Sequence, residues 1–364
     1  MSQALGLSVL LLGALLGTAC DRTPEPRAME RARLPLPAPQ APQASQAPQA
    51  HDAAPVPPSS AAGLVLAGAK PRHGAPGSKI KHVIVIAMEN HDAAQIYEDP
   101  VNAPYIHSLL AQYAHTEHFE DELPLEIPSE GHYVWMEAGA HHFSDAIFDD
   151  DSPPSAAVST GSNKHLVRQI EVASTGVSWM TYQEGMNEET GACPIQSSGF
   201  YVPKHNPFVF FRDVSGDPPA KNTAYCAAHH RPYSALRADL AGELASYVFI
   251  TPDECHDMHS QRGCPEENPI VTGDRWLKSE LPPLIAYAEQ HDAVIFITFD
   301  EGGSTPELPF IAVGPMVKPH YTGSAHYTHS SQLKSVELIL GLPPLPTVAE
   351  ANDLSDLFKA GAFP

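Results

Sequence analysis

Hydrophobic positions in this chain gather into short unbroken runs. Residues 82–88 read His-Val-Ile-Val-Ile-Ala-Met, and residues 293–299 read Ala-Val-Ile-Phe-Ile-Thr-Phe. A third run is Tyr247-Val248-Phe249-Ile250-Thr251, with others at 176–182 and 309–314. Runs rich in β-branched and aromatic residues predict strands buried on both faces, as in a mostly parallel sheet. Helical spacing appears at 103–111, at 234–245, at 273–290 and at 330–342. Another helix is predicted to start near Pro128-Ser129-Glu130, with Tyr133, Met136 and Ala140 on one face. Residues 185–232 read as loop, broken by prolines and glycines. Strands alternating with helices predict an α/β domain: a doubly wound, mostly parallel sheet with helices on both faces.

The ends of these runs carry the chemistry. The first is followed by Glu89-Asn90 and the second by Asp300-Glu301-Gly302-Gly303. Parallel α/β sheets bind ligands beyond the carboxyl ends of their strands. Two distant strands thus deliver four oxygen-bearing side chains to one edge. Such oxygens suit hard or borderline cations. Adjacent carboxylates repel unless they share a cation. The plainer reading makes Asn90 a turn residue and the acidic pair a solvated turn.

A third strand end, Pro252-Asp253-Glu254-Cys255-His256-Asp257-Met258-His259, adds acids and imidazoles. Asp257 and His259 have the spacing of zinc-type ligands from one loop. His329 stands at the start of the last helix. Ser129 stands at another helix start, where free N–H groups attract anions. It is either an N-cap or a nucleophile whose pKa a metal lowers. Lys204-His205-Asn206 groups a cation, an imidazole and an amide, either to meet an anionic substrate or to shape a loop. His141-His142 and His229-His230 are too ordinary to assign.

Charge narrows the partners. With 43 acids against 21 bases, the formal charge of the 364 residues is −22. Nucleic acid is excluded, because phosphate backbones need a basic surface. A small phosphorylated substrate is not, provided a cation lines the pocket. The start of the chain is an apolar stretch ending Gly17-Thr18-Ala19-Cys20. It predicts a secretory signal over 1–20, too short to span a bilayer. It resembles a lipoprotein signal with Cys20 lipidated, although Gly17 replaces the usual Leu and no Lys or Arg precedes the run; cleavage at Ala19 is the alternative. Residues 21–78 are rich in Pro, Ala and Gln and predict a disordered spacer. One folded domain is expected over 79–364. The protein is therefore expected outside the cytoplasm, anchored to a membrane through Cys20 or secreted. Besides Cys20 there are four cysteines, an even number that favours two disulfides in an exported chain. Sequence proximity selects Cys193–Cys226 and Cys255–Cys264. No Cys-x-x-Cys spacing supports a cysteine zinc site.

Six segments, 83–90, 128–133, 204–208, 249–259, 295–302 and 327–331, together resemble the phosphoesterase family of acid phosphatases and bacterial phospholipases C, within the alkaline phosphatase superfamily. They stand in the family's order and span 82–342. The resemblance implies an alkaline phosphatase-like sheet and a divalent metal, one ion or two, of unspecified identity. It implies Glu89, Asn90, Ser129, Asp300 and Glu301 as metal ligands, with Ser129 the nucleophile. Asp257, His259 and His329 would form a second metal or phosphate cluster. Lys204 and His205 would line the substrate pocket, His205 joining Ser129 and His132 as catalytic residues. One departure stands out: the family's acid phosphatases usually read Pro-Ser-Leu-Pro-Asn-Tyr, whereas this chain has Glu130, Gly131 and His132. His132 replaces an Asn expected near phosphate, and would bind phosphate or protonate a leaving group. The implied activity is phosphate monoester hydrolysis through a phosphoserine. The alternatives are a phospholipase C-type phosphodiesterase acting on a lipid head group, and a non-catalytic lipoprotein that binds metal or phosphate.

Overall fold

A computed structural model of the chain describes residues 78–186, 192–265 and 268–364. The expected signal peptide, the lipidated Cys20 and all but the last residue of the expected spacer lie outside the described residues. The strands are β1 (His82–Met88), β2 (Ala114–Thr116), β3 (Phe119–Glu120), β4 (Trp179–Gln183) and β5 (His230–Pro232). They continue with β6 (Tyr247–Thr251), β7 (Ala293–Phe299), β8 (Phe310–Val313), β9 (Tyr321–Gly323) and β10 (Tyr327–Thr328). The helices are α1 (Ala93–Tyr97), α2 (Pro104–Leu110), α3 (Ser129–Ala138), α4 (Leu166–Val172) and α5 (Arg212–Ser215). Then follow α6 (Ala224–His229), α7 (Leu236–Asp239), α8 (Pro269–His291) and α9 (His329–Leu340).

The main sheet has eight strands in the order β5-β4-β6-β1-β7-β8-β2-β9. Its first five are mutually parallel. β8 runs antiparallel to β7 and to β2, which pairs in parallel with β9. Every residue of β1, β6 and β7 is buried, as unbroken apolar runs require. α8 packs with α2 and against β7, while α9 packs with α3 and against β1. The mostly parallel, helix-flanked sheet expected from the sequence is therefore what forms. Parallel pairing puts the carboxyl ends of β1, β4, β6 and β7 on one edge. Met88 faces Phe299 in register, so Glu89 and Asp300 leave the sheet side by side.

Differences from the sequence reading have local causes. α8 begins before 273 because the Asn268 side chain accepts from Ile270 N at 3.0 Å, capping a helix with Pro269 in its first turn. The helix expected over 234–245 shrinks to α7. Gly242 follows it, and Leu244 N donates to Tyr287 Oη at 2.8 Å instead of to a helix carbonyl. β2, β3, β9 and β10 are too short to show a period. Cys193–Cys226 and Cys255–Cys264 are both bonded, as proximity predicted.

Between α3 and α9 lie two buried carboxyls, Glu137 and Glu337. The Tyr247 hydroxyl donates to Glu137, and Leu345 N donates to Glu337 at 3.0 Å. Burial pushes each up to about 8 from an ordinary 4.5, Glu337's charge adding to the shift at Glu137. Folding thus takes up protons between those values, so stability is greatest near the lower one and falls as pH rises through about 8. The thermal midpoint should therefore fall from acidic to mildly alkaline pH, by on the order of 1–3 kcal/mol of stability. Glu137→Gln should flatten part of that slope in calorimetry; an unchanged slope would exonerate this carboxyl.

Candidate active site at the carboxyl edge of the sheet

Glu89, Asp257 and Asp300 are wholly buried where β1, β6 and β7 end, and Glu301 is nearly so. The backbone holds them together. Asp300 N donates to Met88 O at 3.0 Å, and Glu89 N donates to Asp257 O at 2.8 Å. Asn90 N donates to Asp300 Oδ1 at 3.1 Å. Asn90 itself is left-handed, φ 48°, a conformation Asn tolerates well. Burial, then the charges of Asp300 and Asp257, pushes Glu89 well above the usual carboxylate range. Burial likewise raises Asp257 and Asp300. Burial and the Asp300 charge push Glu301 up to about 8.

Ser129 opens α3, but it is not the cap. Pro128 is the N-cap residue, and no side chain caps the helix. The Ser129 hydroxyl instead points at two of the carboxylates, 3.3 Å from Glu89 Oε2 and 3.2 Å from Glu301 Oε1. The Asn90 amide lies against the same two atoms, at 3.1 Å and 3.3 Å, with its oxygen facing them; reversed, its NH2 would donate to both. An amide oxygen, a hydroxyl and carboxylate oxygens thus converge on one spot. Asp300 Oδ2 is buried without a hydrogen-bond partner. This donor set, with its surplus of negative charge and an orphaned carboxylate oxygen, fits a divalent cation.

Beside it is a second group. Glu89, His205 and Asp257 each offer a ligand atom, all within 4.8 Å of one another. His205 Nε2 is 3.2 Å from Glu89 Oε1, and Nδ1 is 3.3 Å from Asp257 Oδ2. Burial, then the Lys204 and His259 charges, holds His205 well below its ordinary value, so the ring is neutral. A neutral imidazole donates to only one of two flanking carboxylates. The His259 ring lies 5.8 Å from that of His205, with its buried Nδ1 unpartnered. His329 Nε2 bonds to Phe299 O at 2.8 Å, the carbonyl just before Asp300. To the expected Asp257, His259 and His329 the structure adds Glu89 and His205, which stand beside Asp257. Two other such groups, Glu184–Asp253–His256 and His141–His142–Asp149, are more exposed and pair internally, at 3.0 Å and 2.6 Å.

His132 is not placed as expected. Its Nδ1 is 3.1 Å from Asp121 Oδ1 and its Nε2 is 2.9 Å from Ile127 O, so neither nitrogen is free for a phosphate. Burial alone would depress its pKa, but the Asp121 hydrogen bond and charge, aided by Asp300 and Glu301, push it up to about 9. His132 is thus a buried imidazolium 3.7 Å from Glu301 Oε2, a fixed positive charge beside the site. Lys204 is paired with Asp151 at 2.9 Å. Sequence reasoning missed Tyr133, whose hydroxyl donates to Glu89 Oε1 at 2.6 Å and whose ring stacks on His205. It also missed Asp121 and Asp151. Tyr133 had counted only as an apolar helix position; no local pattern marks the other two.

Fold and site define an α/β protein with a cation-type oxygen cluster and a serine at the carboxyl edge of its sheet. The phosphoesterase family profile matches residues 102–343, and the chain belongs to the phosphoesterase family. It is 31% identical over 180 residues to the phosphate-repressible acid phosphatase of Penicillium chrysogenum, a stretch covering 46% of this chain and 40% of that protein. The chain thus spans well under two thirds of that relative. A structure from a glycosaminoglycan-metabolism locus of Bacteroides thetaiotaomicron superposes with a TM-score of 0.51 at 12% identity, covering 77% of this chain and 82% of that one. A member of the alkaline phosphatase superfamily from Vibrio parahaemolyticus gives 0.49 at 10% identity, covering 78% and 72%.

Asp121→Asn should lower the His132 pKa from about 9 towards the ordinary imidazole value, as read by NMR titration. A His132 that stays charged to the same pH would show that Asp121 does not hold it.

Proposed function

We propose that this protein is an exported, metal-dependent phosphomonoesterase that works through a phosphoserine. One observation carries the reading: the Ser129 hydroxyl lies between Glu89 and Glu301, with the Asn90 amide against the same oxygens. Glu89, Asn90, Asp300, Glu301 and the Ser129 hydroxyl would hold the cation. When bound, a divalent ion there supplies a Lewis acid that lowers the hydroxyl's pKa and neutralises charge. Family membership and the acid phosphatase relative support phosphoester hydrolysis.

The chain's own residues account for the rest. Glu301 Oε1, 3.2 Å from Ser129 Oγ, is the placed acceptor for its proton. Oγ attacks phosphorus in line, the ester P–O bond breaks, and the leaving alkoxide takes a proton from water. Water then attacks the phosphoserine, phosphate departs, and a proton returns to Oγ. The positive end of α3 and the nearby His132 imidazolium charge oppose the negative charge that develops. Asp257, His205 and His259 flank the pocket, either around a second ion or against phosphate. The substrate is a phosphorylated small molecule or lipid head group. Two disulfides fit an oxidising compartment, and lipidated Cys20 would tether the domain to a membrane. Among the described residues no helix is long and apolar enough to cross one.

Ser129→Ala should cut p-nitrophenyl phosphate hydrolysis at least about a thousandfold while leaving the thermal midpoint near wild type. Full activity in that variant would sink the mechanism. Chelation should abolish turnover and lower the midpoint, and added divalent metal should restore both. Predominant turnover of bis(p-nitrophenyl) phosphate would overturn the monoesterase reading in favour of a phosphodiesterase.

A further inference from the structure

The loop over α3 supplies an anion of its own to the pocket. Asp151 Oδ1 accepts the Glu130 N–H at 3.1 Å, and Asp151 Oδ2 accepts Lys204 Nζ at 2.9 Å. Glu130 follows the proposed nucleophile, so its N–H is one of the helix-start amides with no partner inside the helix. Lys204 also feels the Glu89 and Asp300 charges. A helix-start amide and an ammonium are what would draw a phosphate oxygen.

The loop is strapped down on both sides of this contact. His142 Nε2 is 2.6 Å from Asp149 Oδ1, and Phe148 N donates to His141 O at 3.0 Å. Ser152 N donates to Glu130 Oε2 at 2.9 Å. The approach is close enough that a Cβ on Gly131 would stand 2.6 Å from Phe148 O. Yet the contact itself is displaceable: the Asp151 side chain is 30% exposed and that of Lys204 17%.

We propose that Asp151 is a specificity-determining gate: its carboxylate occupies the anion position between the α3 N-terminus and Lys204, and a substrate phosphate must displace it. This rests on the phosphohydrolase reading above. A displaced carboxylate remains nearby and repels a dianionic monoester more than a monoanionic diester, since Coulomb energy scales with the product of the charges. Asp151 therefore holds down monoester preference as well as phosphate affinity.

The test compares wild type with Asp151→Asn, which keeps an oxygen for the Glu130 amide but loses the charge, and with Asp151→Ala. Asp150→Asn controls for general loop charge, because Asp150 has no bond to Lys204. Inorganic phosphate is titrated calorimetrically, and kcat and KM are measured for p-nitrophenyl phosphate and its bis-ester. Asp151→Asn should bind phosphate about fivefold tighter and lower the monoester KM by a similar factor. The monoester-to-diester ratio of kcat/KM should rise at least about twofold, and Asp150→Asn should move each value less. A folded, active Asp151→Asn and Asp151→Ala pair with unchanged or weaker phosphate binding and an unchanged ratio overturns the gate. A fall in kcat alone would also overturn it, by assigning Asp151 to support of α3. Wild type that neither binds phosphate nor hydrolyses either ester overturns the phosphohydrolase reading itself.

Discussion

Glu89, Asp257 and Asp300 meet, fully buried, where three strands end, and that concentration of carboxyls constrains the surrounding structure. Two unit charges about 4 Å apart cost on the order of 4 kcal/mol at an effective dielectric of 20. Burial first, and at Glu89 and Asp257 the neighbouring carboxylate charges as well, raise their affinities for protons. His205 offers little relief, because burial keeps it neutral. His132 is positive, but it is shared with Asp121. Lys204 is shared with Asp151. What remains uncompensated is what a divalent cation would supply. The oxygens that need it are already gathered around Ser129.

The sheet was legible because burial on both faces leaves an unbroken apolar run, as in residues 82–88 and 293–299. The strand-end carboxylates were legible for a related reason. A parallel pair in register delivers the next residue of each strand to the same edge, so Glu89 and Asp300 needed no side-chain detail to be brought together. Ser129 was ambiguous alone, since a hydroxyl at a helix start is usually a cap. Only Pro128 as N-cap frees it. His132 was misplaced because nothing local announces Asp121, which reaches it from the segment before α3. The His329 bond to Phe299 O was not legible, because a backbone carbonyl leaves no residue-type signal.

Glu130, Gly131 and His132, which follow Ser129, act as one set. Gly131 lets the Phe148 carbonyl come close, which brings the Asp149–Asp150–Asp151 stretch onto the helix. Glu130 then holds Ser152 N, and Asp151 holds Glu130 N and Lys204. His132 adds a positive charge on the inner side of the same turn. Ser129 meets Glu89 and Glu301 while Glu130 meets Asp151 and Ser152, so adjacent residues of one helical turn serve different partners.

Protons and cations compete for this fold in opposite senses. Outside the site, Glu137 and Glu337 favour the folded state where they are protonated, so stability leans towards acid. Inside it, a cation needs Glu89, Asp300 and Glu301 ionised, so occupancy leans towards alkali. α3 joins the two, with Ser129 at its start and Glu137 near its end. A bound cation, by favouring the ionised carboxylates, would lower the pH at which the site is ready without altering the carboxyls between α3 and α9. The working range is then set from below by metal loading and from above by the helix layer.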